Sequence, residues 1–351
     1  MRLLIVTQKV DKDDSYFAFF HEWLIRFARE VETLTVISLE ERAHNLPTNV
    51  TVLSLGKEVG KSRFHYIKTL LTLIYKKRNE YDAVFCHMSP WYVIVGAPIW
   101  KWFKKPIAMW YIHRQVDLKL RIATILADTI FSSSKESFRI KSNKVNFVGQ
   151  ATDTDFFAKR TMMGVRDSHA IKIISVGRIT PIKNLETLFA AVAILRKDFP
   201  VTLECIGPAI SALDRDYEKK LWSLAQSLSI TDIVRFRGPV LYSESREEYW
   251  QAALSVNLAP SGGMDKVVLE SLSAGCPVFV ANEAFRPVLG PYADQFMFTY
   301  ADEKNLAHKI SVFLLKNNHE DAMRFLTSRM REEYDLSHLI HNVVKTIEGF
   351  V

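Results

Sequence analysis

Short apolar runs alternate along the chain with longer segments in which apolar residues recur every three or four positions. Such runs predict buried strands, and the spaced pattern predicts helices that pack on them. In the first half, the predicted strands cover residues 3–7, 33–38, 50–55, 83–86, 107–111, 129–132 and 145–148. In the second half, they cover residues 171–176, 202–206, 233–236, 254–258 and 278–280.

This alternation of strands and helices predicts an α/β protein with two doubly wound parallel sheets. A chain of 351 residues with 48% hydrophobic content is long enough to bury two cores. The polar stretch at residues 161–170 separates the two series and is the predicted linker. Leu339, Val343 and Ile347 lie at helical spacing near the end, which predicts a terminal helix.

Two charged groups follow the first strand of the second half. The strand at residues 171–176 is followed by Gly177 and Arg178, then by Lys183, and a helix is predicted to begin near Asn184. Arg178 and Lys183 therefore lie at the carboxyl end of a parallel strand, where open α/β sheets bind ligands.

A glycine-rich loop follows the strand at residues 254–258. Gly262 and Gly263 permit close approach of a ligand to the backbone, and the helix that follows starts with amide groups that attract anions. Glu270 is predicted to lie two turns into this helix. Two cations, a glycine-rich helix entrance and one carboxylate are suited to a nucleoside diphosphate and its ribose.

These segments, together with residues 203–208, 233–240 and 274–278, resemble the donor-binding half of the family-4 retaining glycosyltransferases. The resemblance covers most of residues 145–290 and implies the GT-B fold, in which two Rossmann-like domains face a cleft. It implies an acceptor-binding domain at residues 1–160 plus 335–351 and a nucleotide-sugar domain at residues 161–334. It also implies transfer of a sugar, with retention of configuration, from a UDP- or GDP-linked donor to an acceptor hydroxyl.

The resemblance assigns roles to individual residues. It places His113, after the strand at residues 107–111, beside the donor sugar, and it gives Arg178 and Lys183 the task of neutralising the departing diphosphate. These three are the predicted catalytic residues. The predicted donor-binding residues are Gly177, Arg178, Lys183, Gly207, Arg237, Ser261, Gly262, Gly263, Met264, Asp265, Val267, Val268 and Glu270.

The chain departs from the family at one sugar contact. Similar enzymes carry two glutamates eight positions apart, and Glu270 matches the second, but the first is replaced by Gly262. Two replacements are open, the side chain of Asp265 or the backbone amides of Gly263 and Met264. No Asp-x-Asp appears that would hold Mg²⁺ or Mn²⁺ between the phosphates, unlike in the other main glycosyltransferase fold. We therefore expect no metal site and no cofactor other than the donor.

Charge is distributed unequally between the halves. Residues 1–150 hold 23 lysines and arginines against 14 acidic residues, whereas the remainder holds 23 against 25. The basic residues cluster at 61–68, 76–78 and 101–105, and Phe64, Ile67, Leu70, Leu71 and Ile74 lie at helical spacing between the first two clusters. Either this helix packs on the core with solvated charges, or its surface meets anionic lipid and the acceptor is lipid-linked.

Other observations limit compartment and class. Cys86, Cys205 and Cys276 are far apart in apolar settings, which predicts reduced, buried thiols. The uncharged run at residues 83–100 predicts a strand, a loop and a buried helix, rather than a membrane span. We expect a cytoplasmic protein, with peripheral attachment to the inner face of the cell membrane as an extension.

Three other functions are weighed. A nucleotide-sugar epimerase of the same fold would need acid and base groups, for which only His113 and His87 are candidates. A catalytically silent binding subunit is kept open by the glycine at position 262. A nucleic-acid-binding protein is disfavoured because no nucleic-acid motif accompanies the basic residues.

Overall fold

The computed structural model describes residues 1–14, 17–158, 170–260, 263–316 and 319–351. By their internal contacts these residues form two compact units, Met1–Gln150 with Leu336–Val351, and Ala151–Asp335. The predicted linker lies outside the described residues except for Ala170.

The first unit is a seven-stranded parallel sheet with the strand order β3-β2-β1-β4-β5-β6-β7. Its elements in chain order are β1 (Arg2–Val10), α1 (Ala18–Glu30), β2 (Thr33–Glu41), β3 (Val50–Ser54), α2 (Arg63–Lys76), β4 (Ala83–His87), α3 (Pro90–Trp102), β5 (Ile107–Trp110), α4 (Leu118–Leu126), β6 (Thr129–Ser132) and β7 (Val145–Phe147).

The second unit is a five-stranded parallel sheet with the strand order β10-β9-β8-β11-β12. Its elements are α5 (Thr154–Phe157), β8 (Ile171–Val176), α6 (Leu185–Leu195), β9 (Val201–Ile206), α7 (Ala212–Ser227), β10 (Val234–Gly238), α8 (Tyr242–Gln251), β11 (Leu254–Asn257), α9 (Lys266–Ser273), β12 (Val278–Val280), α10 (Arg286–Leu289), α11 (Ala293–Phe296), α12 (Glu303–Leu315) and α13 (Glu320–Glu333).

The last helix, α14 (Leu336–Glu348), packs on α1 in the first unit. Its buried face consists of Leu336, Leu339, Ile340, Val343, Val344 and Ile347. The carboxylate of Glu30 lies 3.0 Å from Nδ1 of His341 at the edge of this contact. The helix is thereby attached to the first unit by an apolar stripe with a polar rim.

The predicted fold class is confirmed, because every predicted strand is present and all neighbouring strands are parallel. β1 and β2 run about three residues beyond the predicted ends. Lys9 pairs with Glu40 across the ladder, and its ammonium is 3.1 Å from Asp11, so the charges that interrupt the apolar pattern are satisfied inside the sheet.

The second unit begins at Ala151, whereas the sequence places the boundary after residue 160. Residues 151–158 and Asp335 group with the second unit by their contacts. The hydroxyl of Thr154 donates to Asp335, and the indole of Trp250 donates to the carbonyl of Phe157 at 2.9 Å. Asp153 caps α5 by accepting from the N–H of Phe156 at 3.0 Å.

The long uncharged run folds as β4, a short loop and α3. Within the described residues, no helix has the length and apolarity that a bilayer crossing requires. α3 instead packs between α2 and α4 on the first sheet.

The carboxyl ends of β8 and β9 approach each other through two glycines. Gly177 and Gly207 both have φ of +139°, and a Cβ on Gly207 would lie 2.1 Å from the carbonyl oxygen of Gly177. No side chain fits in this space without displacing backbone.

We therefore expect Gly207→Ala to lower the free energy of unfolding by roughly 3 kcal/mol or more, since backbone displacement is added to an unfavourable φ. Gly149→Ala is the control, because Gly149 also has positive φ (+77°) but has open space around its Cβ position. Its cost should be about 1–2 kcal/mol. Urea titration of both variants measures the difference, and equal costs would contradict the close-approach argument.

Candidate functional site

The candidate site lies at the carboxyl edge of the second sheet. After β8 the chain turns through Gly177 and Arg178 and makes one 3-10 turn at Pro181–Lys183, and α6 begins at Leu185. A Cβ on Gly177 would lie 3.4 Å from Cε and 3.6 Å from Nζ of Lys183. The turn therefore places the ammonium of Lys183 next to the backbone of Gly177, on the side where another residue would carry a side chain.

A pocket opens between this turn and the end of β11. It encloses about 250 Å³, part of which is open to solvent. Its lining consists of Ser175, Val176, Gly177, Arg178, Ile179, Lys183, Leu185, Asn257 and Leu258. Three predicted residues, Gly177, Arg178 and Lys183, are thus brought together at one strand edge.

Arg178 lies on the exposed side of this edge. The pKa of Asp214, at the start of α7, is lowered to about 2, mainly by the N–H of Ser211, and the nearby charge of Arg178 contributes. The guanidinium is thus close to α7 and adds positive charge at the rim of the pocket.

Lys183 forms an ion pair with Asp265, the N-cap residue of α9. The same carboxylate oxygen accepts a hydrogen bond from Nδ2 of Asn257 at 2.9 Å. The side chains of Lys183 and Asp265 are 19% and 33% exposed, so solvent screens this pair incompletely. Asp265 thereby joins the loop before α9 to the turn after β8.

Glu270 lies slightly more than one turn into α9, not two turns as predicted, because the helix starts only at Lys266. Glu270 is buried, and its two carboxylate oxygens have different neighbours. One accepts from the hydroxyl of Tyr249 at 3.1 Å, and the other lies 3.5 Å from the ammonium of Lys266. Burial, followed by the charge of Glu270, raises the pKa of Tyr249 well above its ordinary value, so this tyrosine remains a donor.

The other predicted residues around α9 have varied positions. Ser261 and Gly262 lie outside the described residues. The carbonyl of Gly263 accepts from Asn282, and Met264 packs against the core. The N–H of Val268 already donates to the carbonyl of Asp265 at 3.2 Å, and its side chain is buried, whereas Val267 is only half-buried.

Gly207 and Arg237 do not line the pocket. Gly207 lies in close backbone contact with Gly177. This contact by itself requires a glycine at position 207, whether or not the residue binds a ligand. The guanidinium of Arg237 is 2.9 Å from Glu248, and Glu248 is 3.1 Å from Lys172. The side chain of Arg237 is therefore part of an ion-pair network between β10, α8 and β8.

The first unit presents two histidines at the carboxyl edge of its sheet. His113 follows β5, is exposed, and meets the ring of Tyr111 edge to face at 5.6 Å. His87 ends β4 and is buried; its ring stacks on Phe20 at 3.8 Å, and its Nδ1 is 3.2 Å from the hydroxyl of Thr7. Burial, with a smaller effect of His113, lowers the pKa of His87 to about 3.

No cluster of three or more metal-ligating side chains occurs in the part of the chain that the structure describes. The sequence has three Asp-x-Asp triplets, and the first aspartate of each has a structural partner. Asp11 pairs with Lys9 at 3.1 Å, Asp153 caps α5, and Asp214 completes a capping box with Ser211. The three cysteines are free and buried, as expected.

Sequence reasoning missed Asn257 and Tyr249. Asn257 ends a buried strand and lines the pocket, and Tyr249 is a buried residue of α8 that reaches Glu270. A polar residue at the carboxyl end of a parallel strand was a usable signal for Asn257. Nothing in the local sequence distinguishes Tyr249 from an ordinary core aromatic.

Comparison with known families gives a match in the second half of the chain. Residues 164–326 match the family described as glycosyl transferases group 1. The matched segment includes the turn after β8 and the glycine-rich loop, so the candidate site lies within it.

Two relatives of known name match part of the chain. The chain is 32% identical over 137 residues to a D-inositol 3-phosphate glycosyltransferase of Streptomyces scabiei, which is 37% of this chain and 30% of the relative. It is 29% identical over 184 residues to the enzyme of the same name from Streptomyces avermitilis, which is 46% of this chain and 39% of the relative. The chain thus spans less than half the length of these relatives.

The fold extends over both units. A structure of Anabaena HepE in complex with UDP-glucose superposes with a TM-score of 0.75 at 16% identity, over 99% of this chain and all of HepE. Sucrose-phosphate synthase from Thermosynechococcus elongatus superposes with a TM-score of 0.76 at 13% identity, over 99% of both chains. The chain therefore has the GT-B fold.

Proposed function

We propose that this protein is a retaining glycosyltransferase that moves a sugar from a nucleoside-diphosphate sugar to an acceptor hydroxyl. The observation that carries the proposal is the position of Lys183 over Gly177, in a pocket at the carboxyl edge of the second sheet, within the segment that matches the glycosyl transferases group 1 family. Parallel sheets bind ligands at this edge, and a lysine there supplies a charge for phosphate.

In the proposed reaction the bond between the anomeric carbon and the β-phosphate oxygen breaks, and a bond to the acceptor oxygen forms on the same face. The acceptor proton passes to the leaving phosphate. Lys183 and Arg178 stabilise the charge that develops on this phosphate, which is electrostatic stabilisation in a partly enclosed site. His113 is proposed to bind the sugar.

Glu270 is proposed to accept hydrogen bonds from the ribose hydroxyls. It is buried one turn into α9, and its pairing with Tyr249 and Lys266 fixes the position of its carboxylate. The donor is proposed to carry UDP or GDP, and the HepE complex with UDP-glucose favours UDP as the first nucleotide to test. The acceptor is proposed to be a lipid-linked saccharide or a surface polysaccharide.

Lys183→Ala should lower the rate of sugar transfer by roughly 10²-fold or more, because removal of one stabiliser of developing charge has this effect in other enzymes. Product formation with a panel of UDP- and GDP-sugars measures it. Lys219→Ala is the control, since Lys219 is an exposed lysine of α7 whose partner is Asp216.

Unchanged transfer in Lys183→Ala would remove this residue from the proposed mechanism. If the native protein binds a nucleotide sugar but neither transfers nor hydrolyses it, the chain is a silent binding subunit instead.

Metal independence is a second element of the proposal. Cationic side chains take the place of an ion's charge at the phosphates. Transfer should therefore persist in excess EDTA, and Mn²⁺ or Mg²⁺ should change the rate by less than about twofold. Loss of transfer in EDTA with recovery on addition of Mn²⁺ would show that the site depends on a metal.

We also propose that the first unit meets an anionic membrane through α2, α3 and α4. These helices pack side by side on the sheet, and the predicted apolar face of α2 is only partly buried. Leu70 and Ile74 are buried, but Phe64 is 77% exposed, and Trp102 at the end of α3 is 81% exposed. Leu118 and Ile125 extend the exposed apolar surface onto α4.

Basic residues surround these apolar side chains. The guanidinium of Arg78 lies 4.3 Å from the ring centre of Tyr75 and 5.4 Å from that of Phe103, so the ends of α2 and α3 form one surface. Lys76, Lys101 and Lys104 lie in the same two helix ends. An exposed aromatic surface with positive charge fits a layer of acidic headgroups, where each basic residue contributes about 1 kcal/mol.

Flotation with vesicles containing phosphatidylserine tests this surface. We expect binding at low salt, loss of binding in high salt, and weaker binding when Lys76, Lys77 and Arg78 are changed to Glu, because headgroup attraction is screened within roughly 10 Å at 0.1 M salt. Changing Arg215, Lys219 and Lys220 of α7 to Glu is the matched control for net charge. A native protein that ignores acidic vesicles at low salt would show that this face is a solvated surface.

A further inference from the structure

Asp265 does not act as an ordinary helix cap. It occupies the N-cap position of α9, but its side chain makes no capping hydrogen bond. Its carboxylate instead receives the ammonium of Lys183 and Nδ2 of Asn257, both on the oxygen Oδ2. The N-cap aspartate has thus exchanged the usual helix contact for a contact across the pocket.

Asn257 supports this arrangement from the end of β11. It is 4% exposed, and its Nδ2 is directed to Asp265. Among the described side chains, its Oδ1 is one of the few buried polar atoms without a hydrogen-bond partner. A buried acceptor without a hydrogen-bond partner is energetically unfavourable. Asn257 lines the same pocket as Lys183, so a ligand with a hydrogen-bond donor can satisfy this oxygen.

A negative charge therefore stands beside the cation that the proposed donor needs. Lys183 lies over Gly177 and forms an ion pair with Asp265. Any anion that approaches Lys183 is attracted by the ammonium and repelled by the carboxylate. The repulsion grows with each negative charge that the ligand carries.

We propose that Asp265 determines specificity by charge, favouring the intact nucleotide sugar over the free nucleoside diphosphate that transfer leaves behind. This inference rests on the proposed function and adds a role that turnover requires, the release of the product. Asn257 positions Asp265 for this role.

The two ligands differ in charge at the phosphate nearest the sugar. In the intact donor both phosphates are diesters, and each carries one negative charge. In the product the terminal phosphate is attached only through the bridging oxygen, and its second ionisation has a pKa of about 6, as in other singly substituted phosphates, so at pH 8 the product carries one more negative charge. A fixed carboxylate in the pocket weakens the binding of the product more than that of the donor.

Calorimetry with UDP and UDP-glucose, and with GDP and GDP-mannose, tests the proposal at pH 8. In Asp265→Asn the carboxylate is replaced by an amide of the same shape, whose oxygen can still accept a hydrogen bond from Lys183. We expect the affinity for the diphosphate to rise about tenfold and the affinity for the sugar nucleotide to rise by at most about threefold. Asp265→Ser is the second variant, because serine is also accepted at an N-cap.

Asp232→Asn is the control for net charge, since Asp232 pairs with Arg196 at 3.0 Å and does not line the pocket. It should leave both affinities unchanged. Equal changes of both affinities in the Asp265 variants would show that Asp265 only holds Lys183 in place, and would overturn the proposal. If the native protein and all variants bind none of the four compounds, the proposed function fails, and the charge selection fails with it.

Discussion

The binding edge of the second sheet depends on a contact between two backbones. The space between Gly177 and Gly207 is too small for a side chain, and the N–H of Gly207 donates to the carbonyl of Gly238 at 2.8 Å. The ends of β8, β9 and β10 are therefore level, and the chain that leaves β8 turns at once. That turn determines the position of Lys183. The close contact between the two glycines therefore determines where the main cation of the site lies.

The site is built from pairs of opposite charges. Lys183 is matched by Asp265, and Lys266 is matched by Glu270 at 3.5 Å. Unpaired cations in a partly buried pocket would repel one another and lose hydration, which lowers the stability of the fold. When each cation already has a carboxylate partner, the affinity of an anionic ligand depends on how much stronger its interaction with the cation is than the ion pair that it disturbs. Selectivity among anions then follows from which carboxylates remain nearby.

The sequence predicted the strands well because buried parallel strands are continuous apolar runs with polar breaks between them. It also placed Gly177, Arg178 and Lys183 at one strand edge, since they follow β8 directly. It could not predict the pair of Lys183 and Asp265, which are 82 positions apart and meet through side-chain geometry. The extension of β1 at Lys9 was missed for a similar reason, because one of its carboxylate partners, Glu40, comes from the neighbouring strand β2.

The two histidines of the first unit bear on the choice between transfer and epimerisation. An epimerase needs an acid and a base that exchange protons near neutral pH. His87 is enclosed by Phe20 and Thr7, and burial lowers its pKa to about 3, so it stays neutral throughout that range. His113 is exposed but single. Because His87 is held neutral by packing, His113 is the one of these two histidines left for acid–base chemistry at this edge, and an epimerase would need a second group.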